Sequence, residues 1–187
     1  MQVSTVRSGS SGWPSATATP APTPTASRTP GVAARPTRVV IAALGIDLAV
    51  VKAPSGYPLC NVAMYFPSFG LPGEARATYI FAHARDGMFG PIYELSMVKR
   101  TPDKMVGMEV LVYTANDQVH VYKVIAVRRH ITSLDAAWAV KSDRVFLQTS
   151  EGPHGTPGKT QVIAAPVSVS DVDHATAHPK PRPVVCG

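Results

Sequence analysis

The sequence predicts a mainly β fold in which about eight short strands close, or nearly close, into a barrel, with only a few short helices. Three observations carry this. Short β-branched and aromatic runs recur between residues 38 and 170. Turn-forming stretches punctuate them. One hairpin is explicit: in "MEVLVYTANDQVHVYKVIAV", Val110 and Val112, then Val119 and Val121, alternate with other residues, and "ANDQ" supplies the turn.

The elements follow in order. "RVVIAALGIDLAVVKA" holds two strands split around Gly45 and Asp47. "ATYIFAHA" is a strand that runs out at His83. "MFGPIYELS" and "SLDAAWAV" are each long enough for two or three helical turns. The second arm of the hairpin continues through Val124 to Val127. "SDRVFLQT" and "TQVIAAPVSV" are two further strands, joined by the Gly/Pro-rich "SEGPHGTPGK". Residues 1–37 are Ser/Thr/Ala/Pro-rich and predict a disordered, semi-stiff spacer. Residues 38–170 form the barrel domain, and 171–187, ending in "HPKPRPVVCG", predict a second disordered tail.

A chain of 187 residues with 45% apolar content supports one packed domain with tails. The net charge of +6 is spread along the chain, and the core lacks a basic stripe interleaved with aromatics, so a nucleic-acid partner is not expected. A basic surface suits an anionic cell envelope. No apolar run is long enough for a transmembrane helix, and the N-terminal residues lack the apolar core of a signal peptide, so an export signal or membrane tether is expected outside the sequence as given. Cys60 and Cys186 are the two cysteines; a bridge between them is allowed but not favoured, because Cys186 sits in a tail expected to fray. Two cysteines build no zinc site by themselves, and the six histidines read as lacking ligand spacing, so no metal is expected.

Four residues could carry chemistry. His83, where a strand gives way to a polar turn, is placed for acid–base work or simply to cap the loop by a hydrogen bond. Ser150 ends the strand "VFLQTS", but no G-x-S-x-G elbow surrounds it, and a turn-forming hydroxyl explains it equally. Cys60 is a nucleophile only if His or Arg lowers its pKa; otherwise it is a small buried apolar residue. Lys159 opens the last core strand, where a cation stabilises an oxyanion or is simply solvated.

Taken together, these segments resemble the sortase family across residues 38–168. "RVVIAALGIDLAVV" resembles the family's "I-x-I-P-x-I-G-V-D-x-P-V-V". "FGLPGEARATYIFAHA" is similar to "P-G-x-x-G-N-x-x-x-x-G-H", "MFGPIYEL" to the "F-x-x-L-x-x-L" helix, and "KMVGMEVLVYTANDQVHVYKVIAV" to "G-D-x-I-x-V-x-T-x-x-G-x-x-Y-x-Y-x-V". "VFLQTSEG" stands where sortases carry "T-L-x-T-C". The resemblance implies an eight-stranded sortase β-barrel, monomeric, extracellular or cell-wall associated. It also implies a cysteine transpeptidase that takes a peptide sorting signal through a thioester to an amine acceptor, without a cofactor.

The site departs from the family pattern. His83 matches the catalytic His, with Ala82 for the usual Gly. Ser150 occupies the cysteine position, and the arginine expected about nine residues later falls at Lys159 or Thr160. Three readings remain open: a degenerate, inactive fold acting as a surface-tethered peptide-binding module; a Cys-to-Ser trap variant; or a nucleophile moved to Cys60. Relocation needs the Cys60 sulfur near the His83 ring, and a separation beyond about 7 Å excludes it. Lys159 is the first choice of cation, then Arg85 or Arg129; Arg85, Arg129 and Thr149 are expected to contact substrate.

Overall fold

In the computed structural model, residues 33–55 and 58–186 are described; residues 1–32, most of the expected spacer, lie outside them. Strands β1 (Pro36–Ile41), β2 (Ile46–Lys52), β4 (Ala63–Tyr65), β5 (Ala77–Phe81), β8 (Arg144–Ser150), β9 (Lys159–Asp171), β7 (Gln118–Ile131) and β6 (Glu109–Thr114) follow one another around a closed barrel, with β6 pairing back to β1. The β2–β4 and β5–β8 pairs are parallel and the rest antiparallel. The predicted eight-stranded barrel is therefore the observed fold. The remaining two strands, β3 (Leu59–Cys60) and β10 (Val184–Val185), pair outside it.

Alternation builds the barrel interior. Val39 and Ile41 of β1 and Ile46, Leu48 and Val50 of β2 point inward, while Asp47 faces solvent. Gly45, at φ 62, turns the chain between them in a left-handed conformation that glycine adopts without strain. Val110, Val112, Tyr122, Val124, Val145, Leu147 and Val162 complete the core. β5 and β8 are covered on their outer face as well. Phe69, Tyr79 and Phe146 form an outer apolar layer with Ala137 of the short helix α2 (Asp135–Trp138), and the Trp138 ring stacks on Phe69 at 3.9 Å. Burial on both faces explains why "ATYIF" and "VFL" read as nearly continuous apolar runs. The other predicted helix is α1 (Gly90–Tyr93), continued by a wider turn over Glu94–Val98.

The C-terminal region differs from its expectation. β9 extends to Asp171, and α3 (His174–Ala177) seats the fully buried Ala177 among Tyr113 and Val119. The chain then returns so that Val184 pairs with Cys60 and Val185 with Leu59. Cys186 is disulfide-bonded to Cys60, Cα atoms 5.3 Å apart, so the unfavoured bridge is present. A tail that looks fray-prone in composition is ordered because strand pairing, a buried alanine and a cross-link fasten it. The β1 strand likewise takes Pro36 and Thr37 from the expected spacer.

Burial of His120 on β7, 7% exposed, makes stability depend on pH. Its ring lies beside that of Tyr122, whose hydroxyl donates to Asp143 Oδ1 at 3.0 Å. Desolvation holds the imidazole below its ordinary value of about 6.5, so unfolding at mildly acidic pH takes up a proton. This contribution to stability is present above about 6.5 and is lost as pH falls from there toward the folded-state value. The Asp143 carboxyl, pushed up by the same burial, works with the opposite sign. Thermal melts from pH 7.5 to 5 should therefore fall more steeply for the wild type than for His120→Gln. Parallel curves would show that His120 does not control the slope.

Candidate active site

A groove of about 920 Å³ opens where the parallel strands β5 and β8 run out on the same barrel edge. Phe81, Ala82, His83 and Arg85 form one wall with Pro58 and Tyr93; Gln148 to Ser150, the 152–157 loop and Lys159 form the other. The β5–β8 pairing carries past the end of β5. Ala82 N–H donates to Gln148 O at 3.1 Å, and Thr149 Oγ1 donates to Ala82 O at 3.0 Å. Thr149 is 2% exposed, so it positions the backbone before His83 rather than reaching into solvent. Beyond His83 the chain turns sharply: Phe89 N–H donates to His83 O at 3.0 Å, and Gly90 N–H to Arg85 O at 2.9 Å. A Cβ on Gly90 would lie 2.5 Å from that Arg85 oxygen, so only glycine fits there.

Three sequence-predicted residues come together here, His83 and Arg85 in the wall and Cys60 buried behind it. A His83 ring nitrogen and the sulfurs of Cys60 and Cys186 all lie within 4.8 Å of one another, inside the limit set for relocation. Arg85 Nη1 approaches Cys60 Sγ at 3.5 Å. Pro58 O ties the cluster together: it lies 3.0 Å from His83 Nε2 and 3.5 Å from Cys186 Sγ. In this covalent state Cys60 has no thiol, since its sulfur is bonded to Cys186. It is also 5% exposed, with β10 alongside it.

Ser150 and Lys159 face each other on the opposite wall as a cross-strand pair. Lys159 Nζ donates to Thr156 O at 2.9 Å and to Ser150 Oγ at 3.3 Å. Its Nζ is thereby held beside the groove, next to the Ser150 hydroxyl. Lys159 opens β9 in register with Ser150 at the end of β8. Arg129 is not in the groove lining: it reaches the turn after α1, where Nη1 donates to Ser96 O at 3.2 Å. The backbone is irregular here, with a register shift between Arg128 and Ile131 and a left-handed His130, so simple strand parity does not predict where Arg129 points.

Glu151 escaped the sequence reading. Its side chain is 2% exposed; Oε1 accepts from His130 N–H at 2.8 Å and Thr160 Oγ1 at 2.9 Å, and Oε2 lies 2.8 Å from His130 Nδ1. A Cβ on Gly158 would sit 2.4 Å from Oε2, so the glycine makes room for this carboxylate. Glu151 fixes the base of the loop that carries Thr156 and leads to Lys159. Glu151→Ala should cost about 2–4 kcal/mol by leaving buried donors unpaired, read by urea unfolding. A change within about 0.5 kcal/mol, typical of surface positions, would contradict that role. The histidines also need correction: His174 and His178 stand four apart around α3, a spacing that places both rings on one face.

No family model matches the sequence, and no curated protein matches it. Solved structures do match the fold. Listeria monocytogenes sortase A superposes with a TM-score of 0.62 at 17% identity, covering 80% of this chain and 99% of that one. A Group B Streptococcus pilus island 1 sortase C2 gives 0.58 at 17%, covering 77% and 82%. Sortase C-1 from Streptococcus pneumoniae gives 0.57 at 22%, covering 70% and 66%. The chain has the sortase fold, an eight-stranded closed barrel with few short helices.

Proposed function

We propose that the protein is a peptide acyl transferase or hydrolase of the sortase type, with Cys60 as nucleophile, and that the Cys60–Cys186 disulfide holds it latent. The observation that carries this is the approach of the Cys60 sulfur to the His83 ring and the Arg85 guanidinium, both of which line the groove. A cysteine flanked by a histidine and an arginine is the setting that favours thiolate.

The reaction begins with reduction. A dithiol reductant gives two electrons to the disulfide, leaving two thiols and its own disulfide. Cys60 passes its proton to His83, and the thiolate attacks the carbonyl carbon of a peptide lying in the groove. Arg85, with Lys159 on the facing wall, supplies positive charge near the developing oxyanion. The C–N bond breaks, His83 returns the proton to the leaving amine, and a thioester to Cys60 remains. An acceptor amine or water attacks the thioester, its proton goes to His83, and the acyl group departs as amide or acid. Thr149 holds the β5 end in place, and Ser150 lines the site without entering the bond changes. Sortase-fold relatives and the basic charge support action at a bacterial surface on a peptide sorting signal.

The test uses reduced full-length protein, a pooled peptide library and hydroxylamine, which intercepts thioesters as hydroxamates. Hydroxamate formation should require Cys60 and His83 and survive Ser150→Ala. Turnover that persists in Cys60→Ala but vanishes in Ser150→Ala would overturn the assignment in favour of the serine. Groove binding of peptide without hydroxamate in any form would overturn it in favour of a binding module.

A further inference from the structure

The hairpin tip and the C-terminal helix form a second cluster, away from the groove lining. Asp117 sits in the turn between β6 and β7, at a left-handed φ of 59. Its Oδ1 lies 2.9 Å from His174 Nδ1 and 2.9 Å from His178 Nε2. The three atoms fall within 4.8 Å of one another, and the two imidazoles stack with centroids 4.0 Å apart. We propose that Asp117, His174 and His178 bind one first-row divalent cation, Zn²⁺ being the natural probe.

Geometry and donor type both point this way. Asp117 Oδ1 is hydrogen-bonded to each ring at 2.9 Å, and donors at about 2.1 Å on a tetrahedral ion stand about 3.4 Å apart, so an ion takes the place of the two shared protons with side-chain shifts of about half an ångström. Two imidazoles and one carboxylate suit Zn²⁺, Co²⁺ or Ni²⁺ over Mg²⁺ or Ca²⁺, which take oxygen donors. The His174 side chain is 74% exposed, so water can complete the coordination.

The site is also held in shape before any ion arrives. Val172 N–H donates to Asp117 O at 2.9 Å, tying the turn to the chain ahead of α3. Asp173 caps α3, accepting from Thr176 N–H at 2.8 Å. From β1, Thr37 Oγ1 donates to Ala177 O at 2.6 Å and Arg38 Nη1 to Thr176 O at 3.0 Å, while Ala177 is fully buried. A preorganised ligand set loses little freedom on binding. The ion would clip the C-terminal segment to the barrel at its start, as the disulfide does at its end.

The experiment uses full-length protein with the disulfide intact, stripped with EDTA and dialysed, so that neither cysteine can ligate. Titration with ZnCl₂ by calorimetry should give one site per chain with Kd of about 10 µM or tighter, and Co²⁺ should develop visible d–d absorption. Asp117→Asn and His178→Gln should each weaken binding at least about tenfold, and so should His174→Gln, whose exposed side chain leaves the fold intact. Far-ultraviolet circular dichroism checks folding of the other two. Absence of saturable binding, or one-site binding that His174→Gln and Asp117→Asn leave unchanged, would overturn the proposal.

Discussion

Cys186→Ser protein that has never met a reductant is expected to react at Cys60 as fast as reduced wild type. Oxidised wild type should be at least about 100-fold slower toward a thiol-alkylating reagent, because a disulfide sulfur is not a nucleophilic thiolate. The effect is large because the latch is covalent and acts on the very sulfur proposed to react. Site-resolved mass spectrometry after iodoacetamide treatment reads it. The same variant should form hydroxamate from the peptide library without dithiothreitol, whereas wild type should need it. If Cys186→Ser stays inert while reduced wild type reacts, the tail would be a part of the working site and not its lock.

The second large effect is on stability. The bridge closes a loop spanning 126 positions, most of the barrel. Removing such a link typically costs about 2–4 kcal/mol. For a chain of this size that lowers Tm by roughly 5–15 °C. Reduced wild type and Cys186→Ser should melt at the same lowered temperature, and both should still unfold cooperatively, since the barrel closes through its own ladders. Loss of cooperative melting on reduction would mean instead that the barrel depends on the tail. Together the two effects predict a protein that trades stability for reactivity when it is reduced.

Much of the barrel is legible because strands write their pairing into period-two alternation. Val110 and Val112 do so on the interior face, whereas on β7 the interior falls to Tyr122 and Val124, and Val119 and Val121 pair with Tyr113 and Leu111 on the other face. His83 is legible because a strand visibly stops there. The nearness of Cys60 to His83 is not written in any local pattern, since the two come together only when β4 and β5 pair. The C-terminal strap is hidden for a physical reason. "HPKPRP" has no periodicity, and β10 gains its order from a two-residue pairing with β3 and one covalent bond. Asp117, His174 and His178 meet through a turn and a four-residue helix whose short length leaves no amphipathic signal. Glu151 carries no signal in the sequence, because its burial depends on the space left by Gly158.

The central claim, that Cys60 is an activated thiol served by His83, is tested most directly by the alkylation rate of each cysteine in reduced protein at pH 7. A histidine that takes up the thiol proton raises the thiolate fraction, and with it the alkylation rate. Cys60 should therefore react about tenfold or more faster than Cys186, and His83→Ala should bring it down to the Cys186 rate. Equal rates at the two cysteines, or a Cys60 rate that His83→Ala leaves unchanged, would contradict it.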